Sequence, residues 1–201
     1  MLALKVISWN VRGLNSGIKR ALVFKHLQSH RPNIVFLQET HLNGSKTMAL
    51  HRAFIDKAFH SVYSNYARGV SVLVYRSLLY TAKLVKTDPF GRYVILILII
   101  NNRPHTFVAI YIPPPFTVKV WETIMSAVLG VAEGPIMLAG DLNVVLTPAL
   151  DRYGMASMVS SPLRACTEPY DLVEAWRWKN PNTKAYSCYS ATCNTLSRLD
   201  M

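Results

Sequence analysis

Two short apolar runs that stop abruptly at polar residues constrain the fold of this chain more than any other feature. Ile34-Val35-Phe36-Leu37 leads into Gln38-Glu39-Thr40-His41, and the run from Pro135 to Ala139 leads into Gly140-Asp141-Leu142-Asn143. Four or five apolar residues bounded by turn formers are typical of a strand buried on both faces. Such a strand brings the residues that follow it to the rim of a sheet, where layered α/β proteins bind ligands. The sequence therefore predicts an α/β fold with its chemistry at strand ends.

The first hundred residues predict a parallel pair of strands. A strand over Leu2 to Trp9 is followed by a helix over Ile18 to Ser29 and by the strand Ile34 to Leu37. A strand, helix, strand order favours parallel strands that end at one edge of a sheet, so Asn10 and Glu39 are expected to be neighbours. An acid placed there requires a partner. A divalent cation and an ion pair with a nearby basic side chain both satisfy it.

The rest of the chain reads as one domain of two similar halves. We expect a helix over Ser45 to Phe59, a second helix over Val118 to Gly130, and a helix capped at its N-terminus by Asp171. The two sheets are expected to pack face to face with helices outside. The predicted antiparallel runs are Ser61–Asn65, Val70–Tyr75, Thr81–Thr87, Tyr93–Ile100 and Thr106–Ile112, and the predicted final hairpin is Lys184–Ser190 with Thr195–Asp200.

The basic excess lies entirely in the first half of the sequence. Residues 1 to 100 hold 14 Lys and Arg against three acids, and residues 101 to 201 hold 8 of each, for a net charge of +11. This asymmetry favours a polyanionic partner such as nucleic acid, although a basic, soluble surface also accounts for it.

The cysteines and the apolar runs bear on the cellular location of the protein. Three cysteines without a paired motif fit a reducing, intracellular compartment. The start of the chain does not read as a signal peptide, and Tyr93 to Ile100 is far shorter than the roughly 20 residues that span a bilayer. We expect no membrane association.

Polar residues at the predicted strand ends form one candidate site. Taken singly, Asp141 and Asn143 also read as turn formers, and Tyr111 as a core or sheet-face residue. Five ordered motifs together resemble the endonuclease/exonuclease/phosphatase family. They are Ser8-Trp9-Asn10-Val11-Arg12-Gly13-Leu14, Leu37-Gln38-Glu39-Thr40-His41, Tyr111-Ile112-Pro113, Gly140-Asp141-Leu142-Asn143 and Ser197-Arg198-Leu199-Asp200.

The resemblance implies a four-layer α/β sandwich that hydrolyses phosphodiesters with Mg²⁺, or with Mn²⁺ as the alternative ion. By position, Glu39 would bind the metal with Asn10 beside it. Asp141 would orient and deprotonate the attacking water, and Asn143 and Tyr111 would hold the phosphate. Ser187 stands where retrotransposon relatives often have a threonine near the phosphate. A hard cation held by a carboxylate and neutral donors suits the charge that grows on phosphate oxygens.

Within that family the chain resembles the apurinic-like endonuclease domain of LINE-type retrotransposons. Leu150-Asp151-Arg152, the stretch from Asp171 to Arg177, and Asn180-Pro181 carry this likeness. It implies an endonuclease or exonuclease that nicks double-stranded DNA to leave a 3′-hydroxyl, with a reverse-transcriptase domain in its parent reading frame. We expect a monomer located in the nucleus. Arg12 stands at a position where many repair-type relatives have an aspartate. Retrotransposon members often lack that aspartate too.

The family ends in a Ser-Asp-His motif beyond Asp200, whose histidine that aspartate orients. The chain is therefore expected to be C-terminally incomplete, lacking that histidine and the last strand. Two alternatives to the DNA-nicking reading stay open. One is a catalytically inactive DNA-binding fragment of a mobile element, and the other is a phosphatase of small phosphoesters, such as an inositol phosphate or a sphingolipid head group.

Overall fold

The computed structural model describes residues 4–153, 161–191 and 194–200. The chain forms two compact units, the first of Met1–Tyr111 with Ala127–Gly140 and the second of Ile112–Ser126 with Asp141–Met201. The strands are β1 (Val6–Asn10), β2 (Ile34–Gln38), β3 (Ile55–Ser61), β4 (Val70–Tyr75), β5 (Thr81–Thr87), β6 (Tyr93–Ile100), β7 (Arg103–Tyr111), β8 (Ile136–Asp141), β9 (Arg152–Tyr153), β10 (Cys188–Ser190) and β11 (Thr195–Ser197). The α-helices are α1 (Gly17–His30), α2 (Val118–Leu129), α3 (Pro148–Asp151), α4 (Leu163–Thr167) and α5 (Ala175–Lys179), and 3₁₀ helices span Gly44–Leu50 and Glu168–Tyr170.

The first unit contains two four-stranded sheets. One has the order β1-β2-β4-β3 and the other the order β5-β6-β7-β8. β1 and β2 are parallel, with Val6 opposite Ile34 and Asn10 opposite Gln38. β4 runs antiparallel to both β2 and β3, so this sheet is mixed. The parallel pair predicted from the sequence is confirmed.

Alternation along the strands builds two cores in the first unit. Ile34 and Phe36 of β2 pack with residues of β4, β6 and β7 in a core between the sheets. Val35 and Leu37 face the other way and pack with Phe24 and other residues of α1. Because neighbouring residues of a strand point to opposite faces, one strand serves both cores. The molecule has two mixed β-sheets flanked by helices, as the sequence predicts.

β8 lies at the edge of the second sheet, next to β7. Gly140 adopts a positive φ of 154°, and a Cβ there would collide with the carbonyl oxygen of Ile110. Only glycine permits this close approach of the two backbones just before Asp141.

The second unit has little regular structure. β11 pairs with both β10 and β9 in a small antiparallel sheet, so the predicted final hairpin is confirmed in a shorter form.

The indole N–H of Trp121 donates to the carbonyl of Cys166 at 3.0 Å. Cys166 is a buried free thiol, and Cys193 falls outside the described residues. Every helix in the described ranges falls short of the length and apolarity that crossing a bilayer requires.

Three local predictions are wrong. The predicted helix over Ser45 to Phe59 is a 3₁₀ helix followed by β3, because residues of β3 pair with β4 and satisfy their backbone groups there. Residues 62–65 form no strand. Asp171 does not cap the start of a helix: it ends the 3₁₀ helix with φ +51°, and Glu174 caps α5 through the N–H groups of Trp176 and Arg177.

The predicted antiparallel runs are divided between the two sheets. β5, β6 and β7 are successive antiparallel neighbours, but β4 belongs to the other sheet, between β2 and β3. Asn101 and Asn102, both at positive φ, form the turn between β6 and β7. The predicted first strand begins at Leu2, which lies outside the described residues, and β1 begins at Val6.

Candidate active site

The first unit joins Asn10 to Glu39 at the ends of its parallel strands. Asn10 is the last residue of β1, and Glu39 directly follows β2. The Asn10 Nδ2–H donates to Glu39 Oε1 at 2.7 Å. The Asn10 Oδ1 accepts from the backbone N–H of Arg12 at 3.0 Å, which fixes the orientation of the amide. The two residues that the sequence predicts to be neighbours are in direct contact.

His41 is a further neighbour of this carboxylate. Its Nε2 lies 3.4 Å from Glu39 Oε2, and the Glu39 and His41 side chains are 22% and 20% exposed. Both residues have positive φ, so the chain turns sharply twice as it leaves β2. The Gly13 N–H donates to the Glu39 carbonyl at 2.6 Å, which ties this turn to the loop after β1. Glu39 therefore presents a partly exposed carboxylate on a constrained backbone, and sequence reasoning assigned no role to His41.

Tyr111 belongs to the first unit but sits in its interior. It ends β7, is 6% exposed, and packs in the core between the two sheets. Its backbone N–H donates to the carbonyl of Arg92 at 2.7 Å. The ring is thus a core residue, as the alternative reading of the sequence holds, and a role for its hydroxyl in binding phosphate stays a prediction.

The second unit brings Asp141, Asn143 and Asp200 together. Asp141 is 6% exposed, and its Oδ1 accepts from the Asn143 N–H at 2.8 Å. The Asn143 Nδ2–H donates to the carbonyl of Ile112 at 2.9 Å, and the Ile112 N–H donates to that of Asp141 at 3.0 Å. Asp200 forms an antiparallel β-bridge with Asp141. The expected turn around Asp141 is present, and it holds the carboxylate in one orientation.

Ser187 lies beside the segment that carries Asp200. The Leu199 N–H donates to Ser187 Oγ at 3.2 Å, and the Ser187 N–H donates to the carbonyl of Ser197 at 3.0 Å. The residue is exposed, so its hydroxyl is accessible to solvent. The structure thus places Ser187 against the strand that leads to Asp200.

A buried ion network supports this end of the second unit. Asp151 is fully buried, and its Oδ1 accepts from Arg177 Nη2 and from Arg198 Nε, the latter at 2.9 Å. Arg198 also pairs with Glu174 at 3.1 Å, and its backbone N–H donates to the Asp151 carbonyl at 2.8 Å. Both guanidinium groups lie over the ring of Trp176. Arg198 is two residues before Asp200, so the network anchors the segment on which that aspartate lies.

The charges of this network reinforce each other. Burial works to raise the pKa of the Asp151 carboxyl, but hydrogen bonds from Arg198, the Thr147 N–H and Arg177 outweigh burial and hold that pKa below 3.8. For Arg198, burial works to lower the pKa, but Asp151 and Glu174 raise it above its ordinary value. Asp151 and Arg198 therefore stay ionised. Sequence reasoning missed the network, although Asp151, Arg177 and Arg198 each lie in a stretch that carried the family resemblance.

The donor set at Glu39 suits a hard divalent cation. Mg²⁺ prefers oxygen ligands, uses one or two carboxylates, and keeps several of its waters. Glu39 supplies a carboxylate, and Asn10 supplies an amide oxygen, Oδ1, which also accepts from the Arg12 N–H. Within the described ranges no three His, Cys, Asp or Glu side chains cluster as a metal cage. The residues fit a largely hydrated Mg²⁺ and do not form an all-protein cage.

Comparisons with known proteins agree with this fold. The AP endonuclease LMAP from Leishmania major superposes with a TM-score of 0.77 at 20% identity, over 98% of this chain and 77% of that chain. An AP endonuclease from Archaeoglobus fulgidus gives 0.72 at 18% identity, over 94% and 79%. The 3′-5′ exonuclease NExo from Neisseria meningitidis gives 0.74 at 18% identity, over 98% and 85%. At these identities the likeness establishes a shared fold.

The sequence itself decides the family. The model of the Endonuclease/Exonuclease/phosphatase family matches residues 7–200, which is nearly the whole chain. On that match, the chain belongs to the Endonuclease/Exonuclease/phosphatase family.

Proposed function

We propose that this protein is a divalent-metal-dependent hydrolase of phosphodiester bonds in DNA. The observation that carries the proposal is the contact between Asn10 and Glu39 at the ends of two parallel strands, in a chain of this family. An amide beside a partly exposed carboxylate makes a site for a hard cation without the charge of several acids. Such a cation neutralises the charge that develops on phosphate oxygens during in-line attack.

Each residue of the candidate site would have a separate role in the reaction. Glu39 and Asn10 would hold Mg²⁺, or Mn²⁺ in its place. Asp141 would position the attacking water and accept its proton, a role that suits a carboxylate oriented by the Asn143 N–H. Asn143, Tyr111 and Ser187 would donate hydrogen bonds to the phosphate. Asp200, bridged to Asp141 through its backbone, would orient a further phosphate-binding group.

DNA is the proposed substrate because basic residues lie near Asn10 and Glu39. The exposed Arg12 donates its backbone N–H to Asn10, and the backbone carbonyl of Arg68 accepts from His41. Lys46 reaches Asn15 Oδ1 at 3.4 Å, and Asn15 in turn donates to the carbonyl of His41. Basic residues near Asn10 and Glu39 favour a polyanion over a small monoester. The solved structures with this fold include two AP endonucleases and a 3′-5′ exonuclease.

A finer assignment follows from the sequence resemblance. We propose nicking of double-stranded DNA that leaves a 3′-hydroxyl, in the manner of retrotransposon endonucleases. A monomeric state, a nuclear location and a reverse-transcriptase neighbour stay predictions of the same resemblance.

The deciding experiment is nicking of supercoiled plasmid with Mg²⁺, with Mn²⁺ and with EDTA. The wild-type chain is expected to nick with either metal and to stop in EDTA. Asp141→Asn and Glu39→Gln keep side-chain volume, and each is expected to lower the rate by about 10²-fold or more. Glu133→Gln is the matched control, because Glu133 is an exposed acid paired with Lys83.

Three results would contradict the proposal. Nicking that is unchanged in Asp141→Asn and Glu39→Gln would show that other residues carry the reaction. Release of phosphate from an inositol phosphate without any nicking would move the substrate to small phosphoesters. DNA affinity that falls with salt, without turnover in either metal, would leave a binding protein rather than an enzyme.

A further inference from the structure

His26 and His30 form an exposed pair on one face of α1. The two rings have centroids 4.5 Å apart, and both residues are exposed. Positions i and i+4 of a helix lie one above the other, and two histidines at this spacing on one helix face are a known way of binding a metal ion. Over the described ranges no acidic side chain forms an ion pair with either ring. The pair is therefore open to a cation from solvent.

Hydrogen bonding sets which nitrogen of His30 is available. Its Nδ1 lies 2.9 Å from the carbonyl oxygen of His26. Since a carbonyl oxygen only accepts, Nδ1 carries the proton, and the lone pair of the neutral ring is on Nε2. Histidines that bind metals commonly donate their other N–H to a backbone carbonyl in this way, which fixes the tautomer and the ring orientation.

The other ring and the helix end add to the site. His26 packs edge to face against Trp9, with ring centroids 5.1 Å apart. His30 is the last residue of α1, where the carbonyl groups give the helix end a partial negative charge that favours a bound cation. The pair thus has one oriented ligand, one packed ligand and a favourable field.

The ring separation is close to that of two imidazoles bound to one metal ion. With a metal–nitrogen distance of about 2.1 Å and about 1.1 Å from nitrogen to ring centre, two imidazoles at about 90° have centroids about 4.5 Å apart. A tetrahedral angle would give about 5.2 Å on the same distances. The observed 4.5 Å lies near both values, so a small rotation of the side chains would bring both rings to one ion.

We propose that His26 and His30 chelate a Ni²⁺ or Cu²⁺ ion through their Nε2 atoms, with solvent completing the coordination. This site is separate from the Glu39 ligands proposed for Mg²⁺ and does not depend on phosphodiester hydrolysis. Imidazole nitrogen favours these borderline ions, whereas Mg²⁺ prefers oxygen, so the two sites bind different metals.

The test is calorimetric titration of the Glu39→Gln chain with NiCl₂, a background that removes the carboxylate of the other site. One saturating event is expected. His26→Ala and His30→Ala each remove the chelate and are expected to bind about 10²-fold more weakly. His51→Ala, which removes an exposed histidine elsewhere, is expected to bind like its parent.

A spacing control holds the number of histidines constant. His26→Ala combined with Gln28→His places the two rings at i and i+2, where they do not face each other. Affinity equal to the parent's in this variant, or no saturable Ni²⁺ binding by the parent, would overturn the proposal. Circular dichroism verifies that each variant keeps its helix, and alanine favours helix over histidine.

Trp9 supplies a second readout on the same protein. Its ring lies 5.1 Å from that of His26, so Cu²⁺ bound there is expected to quench Trp9 emission. Trp9→Phe is expected to abolish the saturable part of the quenching while Ni²⁺ affinity stays unchanged. Quenching that persists at full amplitude in His30→Ala would place the ion elsewhere.

Discussion

Replacing Asp151 by asparagine tests whether the buried ion network holds the second unit together. Asp151 is fully buried, and its carboxylate accepts from Arg177, from Arg198 and, at 2.8 Å, from the Thr147 N–H. Asn has the same size, so no cavity forms. It removes the negative charge between two buried guanidinium groups, and it turns one acceptor toward Thr147 into a donor.

The expected cost follows from those contacts. Two charge-assisted hydrogen bonds contribute about 1.5 to 3 kcal/mol each, and breaking a buried ion pair costs about 3 to 5 kcal/mol. We expect Asp151→Asn to lower the free energy of unfolding by about 3 to 5 kcal/mol at pH 7. The exposed pair of Lys83 and Glu133 is the comparison, since removing it through Glu133→Gln should cost less than about 1 kcal/mol.

Urea unfolding followed by tryptophan emission measures this loss. The guanidinium carbons of Arg177 and Arg198 lie 4.9 and 4.7 Å from the ring centre of Trp176, so this indole reports on the network. A loss in Asp151→Asn no larger than that in Glu133→Gln would show that the network stabilises the fold no more than an exposed ion pair does.

The same variant carries a pH signature. The pKa of Asp151 is lowered on folding, so its contribution is complete above the ordinary value of 3.8 and declines as pH falls below it. The difference in stability between wild type and Asp151→Asn should therefore narrow from pH 5 to pH 3. A difference that stays constant over this range would show that the charge of Asp151 does not stabilise the fold.

Three further predictions follow from buried positions. Burial, and secondarily His51, lowers the pKa of His60 to about 4. The free energy of unfolding should therefore fall by up to about 3 kcal/mol between pH 6.5 and pH 4. A His60→Gln chain whose stability falls equally steeply with pH would contradict this. Gly140→Ala forces a Cβ against the Ile110 carbonyl and should cost more than about 1 kcal/mol in urea unfolding, whereas an unchanged midpoint would show that β7 and β8 can separate. Tyr111→Phe keeps the ring in the core, and it should lower kcat for nicking at least about tenfold if its hydroxyl donates to phosphate, while equal kcat would exclude that role.

The features that the sequence predicts well are those set by short-range patterns. The apolar run Ile34 to Leu37 and the helix before it specify a parallel pair, and that pair brings Asn10 to Glu39. The turn at Asp141 and Asn143 is likewise local, because an Asp side chain accepts from the N–H two residues on.

The features that the sequence misses depend on partners distant in the chain. The sequence of β3 predicts a helix because a register shift between Ile55 and Lys57 interrupts the alternation of apolar and polar residues that marks a strand. Pairing with β4, which the local sequence does not reveal, makes this segment a strand. In the Asp151 network, Arg177 and Arg198 lie 26 and 47 positions after Asp151 in the chain. No local pattern therefore reveals that the two arginines share one carboxylate. Tyr111 was selected by its motif, but its burial follows from the packing of two sheets.

The bridge between Asp141 and Asp200 sets an order of events during synthesis. Asn10 and Glu39 are 29 residues apart and can meet early, because only one helix separates them. Asp141 waits for a partner 59 residues further along the chain. At about 5 to 20 residues per second, a ribosome needs about 3 to 12 s to add them. The backbone bridge at Asp141 therefore forms after the contact between Asn10 and Glu39, whereas the turn that orients the Asp141 carboxylate needs only Asn143.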